Sequence, residues 1–182
     1  GRSVRWIDGN HDAQAALRAY DAALVLAPRH VAALLGRAGA LAVIGDRAAL
    51  GTTLASIAAI APGTPRLAYL KARRASADGQ YRAARSEIER AGRALYDDAD
   101  AQALSAELDL RLGRDVLAIA EARRAQALAP GEPYLNYLLA RALAHAGRKD
   151  EARTALRFFD DQQVVPPEVR QLQAEIGQPA TP

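Results

Sequence analysis

The sequence predicts an all-α fold, a solenoid of stacked helix-turn-helix hairpins. Three observations carry this. Gly45, Gly79, Gly113 and Gly147 stand 34 residues apart. Pro28, Pro62, Tyr96 and Pro130 keep the same spacing, each 17 residues ahead of a glycine. Two helical patterns run within each period. A fixed period of this size marks a stacked repeat, in which each unit buries its apolar face against its neighbours.

The first full unit sets the pattern. Val31 to Ile44 is apolar almost throughout and stops at Gly45-Asp46. Glycine tolerates the left-handed backbone that ends a helix, and Asp caps the next one. A second helix runs from Arg47 to about Ile60. Ala61-Pro62-Gly63 breaks it, because proline cannot continue a helix and constrains its predecessor. The next unit predicts helices over Arg66 to Ala77 and Tyr81 to Leu95. Then come Ala99 to Leu112 with Arg114 to Leu128, and Pro133 to Ala146 with Lys149 to Phe159. Pro65 and Pro133 suit the first turn of a helix, where no N–H is needed.

The ends differ. Asp12 to Leu26 reads as a second helix whose turn is Gly9-Asn10-His11. Only Ser3 to Asp8 remains of its partner helix, with Trp6 and Ile7 expected to pack inward. Pro167 to Ile176 is amphipathic, with Val169, Leu172 and Ile176 on one face, and reads as the terminal cap a solenoid needs. The expected organisation is a repeat array over 1–166, divided as 1–30 (partial), 31–64, 65–98, 99–132 and 133–166. A capping helix at 167–176 and a flexible tail at 177–182 follow.

The bulk properties agree. The chain has 182 residues, half of them apolar, with 5% aromatic. Alanine makes up about a quarter, which favours helix and close helix packing. With no cysteine, disulfides, thiol nucleophiles and cysteine metal sites are excluded. The net charge of +3 is too weak a field to imply nucleic acid. The only lysines are Lys71 and Lys149, an arginine bias that suits a high-GC bacterial genome. No apolar run reaches the roughly 18 residues a membrane-spanning helix needs. The start at Gly1-Arg2-Ser3, without Met, reads as a processed chain or a fragment, so a bacterial cytoplasmic or periplasmic location stays open.

The two-helix period, the mid-repeat glycine and the closing proline together resemble the tetratricopeptide repeat (TPR) family. Gly79-Gln80-Tyr81-Arg82-Ala83-Ala84 is similar to the family's Gly-x-Tyr-x-x-Ala turn, and Gly147-Arg148-Lys149-Asp150-Glu151-Ala152 is the same turn without the aromatic. Ala22 to Pro28 and Ala125 to Pro130 resemble its Ala-Leu-x-Leu-x-Pro closing. The likeness spans residues 5 to about 164. It departs where Leu34, Ala68, Gln102 and Asn136 replace an expected aromatic, where Leu50 replaces a small residue, and where Tyr96 replaces a proline. The resemblance implies a right-handed α-α superhelix whose first helices line a concave face. Ala16, Ala84, Ala118 and Ala152 share one register and should allow close approach of the paired helices.

Carried over by register, the lining positions are Ala32, Leu35, Gly36, Gly39 and Val43 in one unit, then Arg66, Tyr69, Leu70, Arg73 and Ala77. Asp100, Ala103, Leu104, Glu107 and Arg111 follow, then Tyr134, Tyr137, Leu138, Arg141 and His145. Tyr69 with Arg73 and Tyr137 with Arg141 recur at the same register. Tyr and Arg are residue types enriched at binding hot spots. The expected partner-binding groove comprises Arg66, Tyr69, Arg73, Glu107, Tyr134, Tyr137, Arg141 and His145. The competing reading is that each Arg stacks on its own Tyr or pairs with Glu107. The lysine and asparagine positions of chaperone-tail clamps hold Leu35, Gly39, Tyr69 and Arg73 here, which argues against that ligand.

Charge is sorted along the chain. Arg66 through Arg93 holds eight basic and three acidic residues, and Asp97 through Glu121 holds seven acidic and two basic. Ion pairing on solvated faces accounts for this, as does a dipolar groove that orients a peptide. No motif places a nucleophile, a phosphate loop or a zinc site. Gly36-Arg37-Ala38-Gly39 lies inside a helical pattern and reads as close helix contact. Asp97-Asp98-Ala99-Asp100 lacks the glycine and distal Glu of a calcium loop and reads as helix capping. The chain is therefore read as a non-catalytic scaffold with no cofactor or metal. Its expected partner is a protein or peptide, with no nucleic acid and no direct membrane insertion, and homo-oligomers stay possible. The alternatives are an assembly part of a bacterial envelope, secretion or exopolysaccharide machine, or the regulatory TPR arm of a larger enzyme.

Overall fold

The computed structural model describes residues 9–177, and among these every regular element is helical. The helices gather into two compact units, one ending at Leu95 and one beginning at Tyr96. The predicted Ser3–Asp8 remnant, with Trp6 and Ile7, and the tail beyond Gly177 lie outside the described residues.

The N-terminal unit contains α1 (Gly9–Leu26), α2 (Val31–Ile44), α3 (Arg47–Ile60), α4 (Pro65–Ala77) and α5 (Tyr81–Ala91), closed by a 3-10 turn (Gly92–Leu95). α2 packs against α1 and α3, and α4 against α2, α3 and α5. Leu41, Ile57, Leu67 and Leu70 are out of water at the centre. Gly45 turns between α2 and α3 at φ +89°, and its N–H donates to Leu41 O. Asp46 then caps α3 by accepting from the Ala49 N–H at 2.9 Å. His30 caps α2 in the same way, accepting from Ala33 at 3.2 Å. Gly36 lies against the Tyr20 ring of α1, the close helix contact its sequence suggested.

The C-terminal unit contains α6 (Ala99–Arg111), α7 (Asp115–Leu128), α8 (Pro133–His145), α9 (Lys149–Leu156), a 3-10 turn (Arg157–Phe159) and α10 (Pro167–Gly177). α8 packs on α6, α7 and α9, and α10 closes on α8 and α9. Leu108, Leu138, Phe159 and Val169 are the large side chains at its centre. α10 buries Val169, Leu172 and Ile176, as its pattern predicted, and Arg153 donates to Ile176 O at 2.7 Å. Asp98 caps α6 by accepting from Ala101 at 3.0 Å, the capping role its sequence suggested.

Three local expectations need correction. α1 begins at Gly9, so Gly9-Asn10-His11 is helical, not a turn. α5 stops at Ala91 instead of running to Leu95, because Gly92 takes φ +53°, a region that ends α-helical geometry. Ala84, Ala118 and Ala152 are fully buried, but Ala16 is half-exposed and Ala13 takes the buried place on α1.

The departures from the family pattern have physical substitutes. Gln102 is buried and donates to Tyr96 O at 3.1 Å. Asn136, 34 residues on, is buried, donates to Glu132 O at 3.2 Å and accepts from Gln126 at 2.7 Å. Each amide secures the turn that leads into its helix, which an aromatic would instead fill with apolar bulk. Tyr96, lacking proline's fixed backbone, is held by Arg124. That guanidinium donates to Tyr96 O at 2.8 Å, pairs with Asp97 at 2.5 Å and lies 3.3 Å from the Tyr96 ring centroid. Arg124→Ala is expected to cost about 1 kcal/mol and to speed amide exchange around Asp98. An unchanged exchange rate there would show that the turn stands without it.

Candidate partner-binding site

The predicted site residues fall on two helices, one in each unit, plus Glu107. On α4, Pro65 occupies the first turn, and Arg66, Tyr69 and Arg73 follow at spacings that share a helix face. Tyr69 is 5% exposed. The Arg66 guanidinium lies 4.4 Å from its ring centroid and that of Arg73 lies 5.9 Å away. Both are within cation–π range. On this helix the local-stacking alternative describes the geometry, and the surface offered outward is the two half-buried arginines rather than the tyrosine.

On α8 the arrangement differs. Tyr134, Tyr137 and Arg141 are each half-buried along one face. The two rings are 6.5 Å apart and tilted by 42°. The Tyr134 hydroxyl donates to the Glu107 carboxylate on α6. Burial, then the Glu107 charge and hydrogen bond, push its ionisation well above the ordinary tyrosine range against the opposing pull of Arg141. Tyr134 is thus a fixed neutral donor. Burial also raises Tyr137; Arg141 opposes this, while Glu168 and Glu175 add to it. Glu107 is therefore engaged by a tyrosine hydroxyl, not by the arginine pairing the sequence offered as the alternative.

His145 stands at the exposed end of α8, its Nδ1 2.7 Å from Asp115 Oδ1 in the first turn of α7. Asp150, the acid nearest to it across the turn in sequence, is held by Arg153 at 2.5 Å. Leu70 and Leu138, counted among the lining positions, are fully buried core, and Ala103 and Leu104 are nearly so. Gly36 is covered by Tyr20, whereas a Cβ at Gly39 would meet nothing within 4 Å.

Two features escaped the sequence reading. Asp109 is wholly buried, with Arg114 reaching it at 3.5 Å across the Gly113 turn. Glu168 and Glu175, on the capping helix, act electrostatically on Tyr137; extending the 34-residue ruler past Gly147 would have found them. The adjacent Arg123 and Arg124 are paired, Arg123 with Glu151 at 2.8 Å and Arg124 with Asp97. Arg47 likewise pairs with Asp78 at 3.2 Å. Among the described residues no helix is long and apolar enough to cross a membrane.

Paired helices joined at left-handed glycines, repeated at constant spacing, define a helical-repeat protein. The tetratricopeptide repeat model matches residues 9–63 and 69–133, and the chain belongs to that family. No curated protein matches the sequence. TTC0263, a thermophilic TPR protein of Thermus thermophilus, is 20% identical with a TM-score of 0.73, covering 91% of each chain. Pseudomonas aeruginosa pilF is 13% identical with a TM-score of 0.72, over 93% of this chain and 85% of its own. YrrB, described as a TPR protein with an unusual peptide-binding site, is 17% identical with a TM-score of 0.70, over 89% of this chain and 82% of its own. At these identities the likeness is one of fold.

Proposed function

We propose that the chain is a non-catalytic interaction scaffold that binds a protein or peptide segment on the first-helix faces of α4 and α8. The observation that carries this is the α8 face. Tyr134, Tyr137 and Arg141 stand together, half-exposed, with Tyr134 locked to Glu107. Fixed aromatics lose little entropy on binding, and an adjacent guanidinium adds directional hydrogen bonds. The Arg66 and Arg73 groups on α4 supply a second, cationic face. The peptide-binding description of YrrB is consistent with this use of the fold.

The test uses a partner captured by the wild-type chain, then purified and titrated. Tyr137→Ala and Arg141→Ala should each weaken it about tenfold or more, the effect of losing a central contact. Melting temperature should stay near that of the wild type. Unchanged affinity in both variants rejects the α8 face.

A second reading, a structural part of a larger assembly, draws on apolar side chains left in water. Leu26 is 88% exposed, Val116 83% and Val25 80%. Concentration-dependent mass in sedimentation, unaffected by Tyr137→Ala, would favour it.

A further inference from the structure

The repeat register continues past α8. Thirty-four residues beyond Tyr134, Tyr137 and Arg141 stand Glu168, Gln171 and Glu175 on α10. Thirty-four residues before Tyr134 and Arg141 stand Asp100 and Glu107 on α6. α8 packs against both α6 and α10, so positions of equal register fall on neighbouring helices. The tyrosine face of α8 is thereby bracketed by carboxylates on both sides. On one side the bracket is a direct bond, Tyr134 to Glu107. On the other, the charges of Glu168 and Glu175 help keep the Tyr137 hydroxyl protonated. Arg141 is the cation between them.

A second observation points outward. Glu168 Oε2 is withdrawn from water and accepts no hydrogen bond from any described residue. A shielded carboxylate oxygen without a donor is unfavourable, and such an atom in a native fold calls for an explanation. An incoming cationic donor would relieve it.

We infer that this face takes an extended segment bearing lysine or arginine, its cation seated on the Tyr137 ring with Glu168 and Glu175 as counter-charges. The inference rests on the α8 face being where a partner docks. A cation there gains from both the ring and the carboxylates. An acidic segment would meet Arg141 but be repelled by the flanking acids. α10 then has two tasks: Val169, Leu172 and Ile176 close the apolar end, and the glutamates on its flank form one wall of the site.

The probes are fluorescent glycine–serine peptides carrying lysines, glutamines or glutamates at matched positions, titrated against the whole chain. The lysine peptide should bind best, with an affinity that falls as salt rises. Glu168→Gln with Glu175→Gln should weaken it about tenfold and leave the glutamine peptide and the melting temperature unchanged. A lysine peptide that binds no better than the glutamine peptide overturns the inference, as does a double variant that binds it equally well. If that happens while Tyr137→Ala still lowers binding of whichever peptide is preferred, only the charge class is wrong. If Tyr137→Ala changes nothing either, the α8 face itself is rejected.

Discussion

Leu138→Ala is expected to lower the unfolding free energy by about 2–5 kcal/mol, whereas Tyr137→Ala beside it should affect partner binding far more than stability. Leu138 is wholly out of water, and Ala140 and Ala142 on the same helix are equally shielded. A void left there is walled by helices that are fixed by their own hydrogen bonds, so it refills poorly. The lost methyl and methylene contacts are therefore not recovered. The measurement is thermal or urea unfolding of both variants, with amide exchange across α8 to locate the loss. Tyr137 is only half-buried, so its truncation removes less apolar area from the interior. Equal destabilisation in the two variants would mean that the division of α8 into core and surface faces is misplaced.

That division also shows what the sequence could and could not reveal. The glycine ruler was readable because a left-handed turn restricts the residue itself: Gly45, Gly79, Gly113 and Gly147 all take positive φ, from +71° to +89°. Proline and Asp at helix starts were readable for the same local reason. Site positions depend on rotation about each helix axis, which a spacing of three or four fixes only to within a neighbouring row. Leu70 and Leu138 were thus counted as lining, although both face inward. Tyr69 is covered by two arginines from its own helix. The same Tyr-x-x-x-Arg spacing on α8 leaves Tyr137 half-open, because what covers a ring depends on which side chains lie three residues before it. Arg66 does so at α4; Tyr134, tied away to Glu107, stands at that place on α8. The acids of α10 were missed for another reason. Glycine and proline markers of the 34-residue period end before that helix, so its register had no local sign.

Ala118→Leu is expected to destabilise the chain by about 1–3 kcal/mol, while Ala16→Leu should stay within about 0.5 kcal/mol. Both alanines hold the same place in the 34-residue sequence register, and by sequence alone they are equivalent. Ala118 is 0% exposed on α7, the helix that packs along α6 and α8. The added isobutyl bulk at that site requires either an unfavourable rotamer or separation of the paired helices. Separation would also loosen Leu108 and Leu138, which are packed into the same unit. Ala16 is half-exposed, and a leucine there can lie along the surface of α1. Melting curves of the two variants decide the matter. A large loss at both positions would restore the uniform register the sequence implied and remove the distinction between α1 and the later second helices. A small loss at both would mean that α7 does not approach its partners as closely as its alanines suggest. The expected asymmetry marks where the repeat ceases to be regular.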